Sequence, residues 1–444
     1  MRKLAFLGLI IFVAAFLFGG AYYWYSNLKV KISVEPNKQL FGLNNKITIK
    51  VEPSSTPPKS YLTIKFLQNG KEVTLYSGDL QKVVRTVSLN PKNYGFKSGE
   101  ATIVATLETP FYKKEIFKKV ISLDLTPPSA EIVYKPSSIK VGYPSFVVVK
   151  PSEPVNNAYV KFGNATFPLL SYKNGTLLTF ITAPLFALKK PGNFELVLQD
   201  KANNTSVIPL DITVKPIKLK VKNFKFSKKT LDRLILKFFP SVTNPVEQFK
   251  TINEVFRKED ENKFIKICST SENRLYIKGT FAVSRYYRIT GIYGELRKYY
   301  YNGKLIGTSI HKGMDLSMAK GAPVIAANDG KVIFTGRTKV YGNVIIIDHG
   351  YGLFTLYAHL ENFKVKPGDT VKKGQVIGQA DTTGFALGSH LHFGVLVWGY
   401  ATRPYFYFIS WNMNHYIYNP LNRIFSSPKK KTDKKQTAKK ISQK

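Results

Sequence analysis

Five of the six histidines in this 444-residue chain lie between His311 and His392. Histidine is the commonest metal ligand and the usual acid or base near neutral pH. The window opens with His311-Lys312-Gly313-Met314-Asp315, which sets a carboxylate four residues after an imidazole. It passes through Tyr357-Ala358-His359-Leu360. It closes with Gly388-Ser389-His390-Leu391-His392-Phe393-Gly394, inside an apolar run rich in β-formers. Side chains at i and i+2 of a strand share one face, so His390 and His392 can aim at one point. His311 and Asp315 follow a Gly-containing loop and can add a nitrogen and an oxygen. Two imidazoles, one carboxylate and a fourth position left for water form a catalytic zinc arrangement. Zinc lowers the pKa of water to about 7, which supplies a nucleophile at neutral pH. Attack on an amide also needs a base and stabilisation of the oxyanion and the leaving amine. His359 and whichever of His390 or His392 is not a ligand are the available groups. Spacing leaves open which of that pair binds metal. His349, in Asp348-His349-Gly350, reads as a residue placed by a hairpin turn, and His415 as a surface residue.

The stretch from Thr290-Gly291-Ile292-Tyr293-Gly294 to Arg403-Pro404 resembles the lysostaphin-type zinc endopeptidases, a family that cuts peptide bonds in bacterial peptidoglycan. The resemblance rests on His-x-x-x-Asp at His311 and Asp315, on Tyr357-Ala358-His359-Leu360 and on His-x-His at His390 and His392. It implies that His311, Asp315 and His392 hold one zinc ion and that His359 and His390 are catalytic. None of the five positions is missing. The run Val365 to Gly378 also resembles the turns of lipoyl and biotinyl carrier domains. The Met-Lys hairpin of a carrier is absent, and a carrier has no use for five histidines.

The elements that must position this window are mainly β. Leu4 to Trp24 is uncharged, follows Arg2 and Lys3, and is long enough to cross roughly 30 Å of hydrocarbon as a helix. It predicts a single inner-membrane pass over residues 1–27, with the remainder outside the cytoplasm in the cell envelope. A signal peptide cleaved near Gly19-Gly20-Ala21, followed by secretion, is the alternative. Residues 28–125 alternate apolar and polar with period two and predict an immunoglobulin-like β-sandwich. Residues 126–216 predict a second. Ile121-Ser122-Leu123-Asp124-Leu125-Thr126 and Ile208-Pro209-Leu210-Asp211-Ile212-Thr213 read as the shared closing strand. Residues 217–278 form a helical linker, with Ser227 as one cap and Asn244-Pro245 starting a second helix. It packs against the peptidase or joins it to the sandwiches; a segment covering the site is the alternative. Residues 279–425 form the zinc metallopeptidase domain, an antiparallel sheet of lipoyl-like β architecture. Residues 426–444 are a disordered, lysine-rich tail.

The formal net charge is +38. In an exported chain that basic surface meets anionic polymers of the envelope, and nucleic acid is not the expected partner. The single cysteine, Cys268, excludes an intramolecular disulfide and reads as a core residue. These features predict a membrane-anchored, exported zinc endopeptidase that hydrolyses peptide crosslinks of peptidoglycan. The sandwiches would set its reach or bind envelope proteins. A non-enzymatic scaffold that binds the wall or activates another hydrolase is the alternative; such relatives typically lose ligands, and this chain keeps all three.

Overall fold

The computed structural model describes residues 2–285 and 287–425, so the lysine-rich tail lies outside the described residues. The chain is mainly β and divides into two compact units. One comprises the residues up to Ser129, with Ser152–Asn157 and Leu198–Ser206; the other comprises the remainder.

The first unit begins with the helix Arg2–Ser26. Its segment Phe6–Ser26 is long and apolar enough to cross a membrane, and none of its most apolar window is buried. A five-stranded and a three-stranded sheet follow. In Asn45–Pro53 the side chains of Ile47, Ile49 and Val51 turn inward, and in Tyr61–Gln68 those of Leu62, Ile64 and Phe66 do the same. The inward faces of both sheets meet in one apolar core. Each such aliphatic side chain contributes about 1.5–3 kcal/mol on full burial.

The second unit holds most of the second β module, the helical segment and the peptidase sheet. In the module, Phe146, Val147, Val148 and Val149 are all buried, because their strand is covered on both faces. The module is tied to the peptidase by Trp398 Nε1–H donating to Thr179 Oγ1 at 2.8 Å and Phe180 N–H donating to Tyr351 O at 3.0 Å.

Residues 217–278 are not helical throughout. Lys220–Phe226 is a strand that pairs in parallel with Glu295–Tyr301, setting Phe224 opposite Tyr299. Ser227 then caps the helix Lys228–Ile235 by accepting from Thr230 N–H. Asn244 caps the helix Pro245–Lys250 by accepting from Glu247 N–H, with Pro245 in the first turn, where its missing donor costs nothing. The chain continues helically to Ile267. Leu231, Leu234, Ile235, Phe249, Ile252 and Phe264 form a buried stripe against Val344, Ile346, Phe354 and Leu356 of the peptidase sheet. Cys268 is buried in the same core.

The peptidase sheet is antiparallel, and its centre matters most for the site. The strand His390–Val397 lies between Met314–Ser317 and Leu353–Phe363. The register sets Asp315 opposite His392 on one side and Ala358 opposite His392 on the other. Residues from three distant stretches are thereby brought to one spot by backbone pairing alone.

Candidate metal centre

His311 Nε2, Asp315 Oδ1 and His392 Nδ1 converge. The carboxylate oxygen lies 3.0 Å from His311 Nε2 and 2.9 Å from His392 Nδ1, and the two nitrogens are 3.1 Å apart. Like groups this close, all buried, leave a shared point that a cation could occupy. His311 Nδ1–H donates to Ile292 O at 2.9 Å, so its Nε2 carries the free lone pair. Asp315 Oδ2 accepts from Arg297 Nη2 at 2.7 Å, so only Oδ1 faces the histidines. Burial alone would raise the Asp315 carboxyl, but charge and hydrogen bonds from His311 and His392 hold it well below the usual carboxylate range. Burial pushes His392 down to about 4, against the opposing pull of Asp315. An unprotonated His392 and an ionised Asp315 suit a metal ion, which binds the deprotonated forms. The donor set, two nitrogens and one oxygen, suits zinc.

His359 and His390 line the same cavity of about 280 Å³ as the three converging groups. Their rings stand 4.7 Å apart. His359 Nδ1–H donates to Thr383 O at 2.7 Å, and His390 Nδ1–H donates to Gly388 O at 2.8 Å. A carbonyl only accepts, so each ring carries its proton on Nδ1 and keeps Nε2 available. His390 Nε2 lies 3.7 Å from Asp315 Oδ1. Burial, with His390 and His392 nearby, holds His359 well below the ordinary histidine range. Its backbone has φ of +62°, an uncommon conformation for a residue with a side chain.

All five residues singled out by type and spacing therefore share one cavity. His349 does not reach it. That ring is fully buried, donates from Nδ1 to Asp329 O at 2.6 Å and stands 2.8 Å from Thr355 Oγ1. His415 is exposed and stacks on Trp411. Arg297, Tyr341 and Lys222 also line the cavity, and none carried a sequence signal of its own. Arg297 sits on the strand Glu295–Tyr301.

Residues 309–404 match Peptidase family M23. The chain carries an M23 peptidase domain. The peptidoglycan DD-endopeptidase ShyB of Vibrio cholerae serotype O1 is 36% identical over 139 residues, 31% of this chain and 32% of that protein. The DD-carboxypeptidase/endopeptidase Mpg of Neisseria meningitidis serogroup B is 41% identical over 95 residues, 21% of this chain and 22% of that one. The chain thus spans a third or less of the length of these relatives. Among solved structures, the catalytic domain of lysostaphin from Staphylococcus simulans is 33% identical, covers 27% of this chain and 90% of that one, and has a TM-score of 0.24. The M23 match begins at Ser309, later than the Thr290 start of the lysostaphin-type resemblance, so Gly291 and Arg297 stand outside it although they touch Asp315's surroundings.

Proposed function

We propose that this protein is an exported zinc endopeptidase, anchored at the inner membrane, that hydrolyses peptide crosslinks of bacterial peptidoglycan. The observation that carries the reading is the convergence of His311 Nε2, Asp315 Oδ1 and His392 Nδ1 beside His359 and His390 within an M23 domain. The names of the two curated relatives support peptidoglycan as the substrate. The apolar segment Phe6–Ser26 supports the anchor, and the net charge of +38 supports attraction to anionic envelope polymers.

In this reading His311, Asp315 and His392 are the ligands. Bound by these three residues, a zinc ion would supply Lewis acidity toward the scissile carbonyl and toward water near neutral pH. His359, neutral and with Nε2 bare, accepts the proton of the attacking water. The proton that His359 takes from water is the one the leaving amine needs, and His390, one ring away, donates from Nε2 to the developing oxyanion only after taking up a proton from solvent. Arg297 aims Asp315 by holding its Oδ2.

The test is digestion of purified crosslinked sacculi by the full chain in detergent, with zinc, with chelator, and with His390→Ala, read by mass spectrometry of the released peptides. New peptide ends that need both zinc and His390 support the reading and name the bond. Intact crosslinks in the presence of one bound zinc per chain would refute a hydrolase and favour a wall-binding scaffold.

A further inference from the structure

The turn that orients His359 is held from elsewhere in the chain. It lies between the strands Val376–Ala380 and His390–Val397. Thr383 O takes the Nδ1 proton of His359. The carbonyls around Thr383 are claimed by one lysine of the helical segment. Lys237 Nζ donates to Thr382 O at 2.8 Å, to Gly384 O at 3.2 Å and to Ala386 O at 2.9 Å. An ammonium has three protons, so its whole donor capacity goes to this turn. Arg233, one helical turn earlier, reaches Leu387 O at 3.4 Å. No carboxylate pairs with Lys237 among the described residues.

The turn has little room to adjust. Gly384 has φ of +72°, and a Cβ there would stand 2.5 Å from Gly342 N and Val340 O. Thr383 Oγ1 accepts from Asn343 N–H at 3.0 Å and donates to Leu360 O at 2.9 Å. His359 itself is locked by its N–H to Tyr341 O at 2.9 Å and by Asp381 N–H to its carbonyl at 3.0 Å. A left-handed backbone at a histidine persists only where its surroundings over-determine it. Lys237, with Arg233, ties the neighbouring turn to the helical segment outside that sheet.

We propose that Lys237 is a positioning residue for His359: it fixes the Thr382–Ala386 turn so that Thr383 O holds the ring in its Nδ1–H tautomer. The helical segment is then a working part of the site and not a cover whose removal would release it. The proposal rests on the reading of His359 as catalytic.

The experiment compares the full, zinc-loaded chain in detergent with Lys237→Met and Lys237→Arg. Three quantities are read: kcat and KM on a crosslinked muropeptide dimer, zinc per chain, and the imidazole ¹⁵N shifts of His359 in histidine-labelled protein. Lys237→Met is expected to lower kcat about 10–100-fold, the scale of losing a supporting contact. KM and zinc content should hold, and the His359 shifts should move from the Nδ1–H pattern toward a mixture. Lys237→Arg should recover most of both. Unchanged shifts, or a kcat equal to or above that of the parent, would overturn the proposal. Should Lys237→Met fail to fold, Lys237→Gln is judged by the same criteria. If the parent cleaves nothing, the endopeptidase reading fails, while the ¹⁵N shifts still decide whether Lys237 sets the tautomer.

Discussion

Arg297 Nη2 stands 2.7 Å from Asp315 Oδ2, and that pair decides which carboxylate oxygen is left for the two histidines. The same guanidinium also reaches Glu295 Oε2 at 3.3 Å. Burying these charges costs several kcal/mol per ion, and the return is geometric: Asp315 can present one oxygen, in one orientation.

Arg297→Met is expected to weaken zinc binding about 10–100-fold while the histidines stay in place. Competition against a chromophoric chelator measures it. Arg297→Lys should recover only part, because an ammonium lacks the planar fork that grips two carboxylates. Parent-like affinity in Arg297→Met would show that the pair does not aim the ligand.

Gly291→Ala should reach the same end without removing any charge. A Cβ at 291 would collide with Arg297 Nη2 and stand 2.6 Å from Asp315 Oδ2. The expected result is a zinc affinity near that of Arg297→Met. Combining the two should cost no more than either alone, since both act on one contact. Additive losses would mean that the glycine serves some other purpose.

The proposed ligand and catalytic roles predict separable losses. His311→Ala and His392→Ala should lose zinc and activity together with the fold largely kept. His359→Ala and His390→Ala should keep one zinc per chain and lose about 10²–10⁴ in kcat. Zinc content by elemental analysis, set beside turnover, sorts the four variants. Equal activity in either of the first two would remove that residue from the ligand set.

The buried His349 gives a pH dependence of stability. Burial holds it at about 4 in the folded protein, against roughly 6.5 when exposed. Between those values the unfolded chain binds the extra proton, so stability rises with pH. The contribution is complete above about pH 6.5 and is lost progressively toward pH 4, a change of up to about 3 kcal/mol. Denaturant titrations of zinc-loaded parent and His349→Gln across that range should show a steeper slope in the parent by about 1.4 kcal/mol per pH unit. Parallel slopes would contradict the assignment.

Much of the site was legible because its chemistry is carried by rare residue types at short spacings. His-x-x-x-Asp and His-x-His each announce a pair, and the i, i+2 rule places His390 and His392 on one face before any fold is known. The β character of the first module was equally open, since Ile47, Ile49 and Val51 mark their buried face by alternation alone. Arg297 and Lys237 were not legible as parts of the site. Both are common residue types, and their partners lie far along the chain: Arg297 meets Asp315 across 18 residues, and Lys237 meets Thr382 across 145. The strand Lys220–Phe226 was hidden for a related reason. It sits beside a segment with strong helical signals, and only its parallel pairing with Glu295–Tyr301 makes it a strand. The left-handed backbone of His359 has no sequence mark, because histidine seldom adopts it.

The register that sets Asp315 opposite His392 also sets a clock. Their hydrogen bond joins residues 77 apart, and the strand holding His392 lies between two strands that precede it in the chain. A growing chain therefore carries Lys237, then His311, Asp315 and His359, through most of synthesis with no completed centre. The three converging groups are all present only once His392 has been added. A chain cut short before His392 lacks the third of the converging groups and cannot complete the proposed centre, however well the earlier strands have formed.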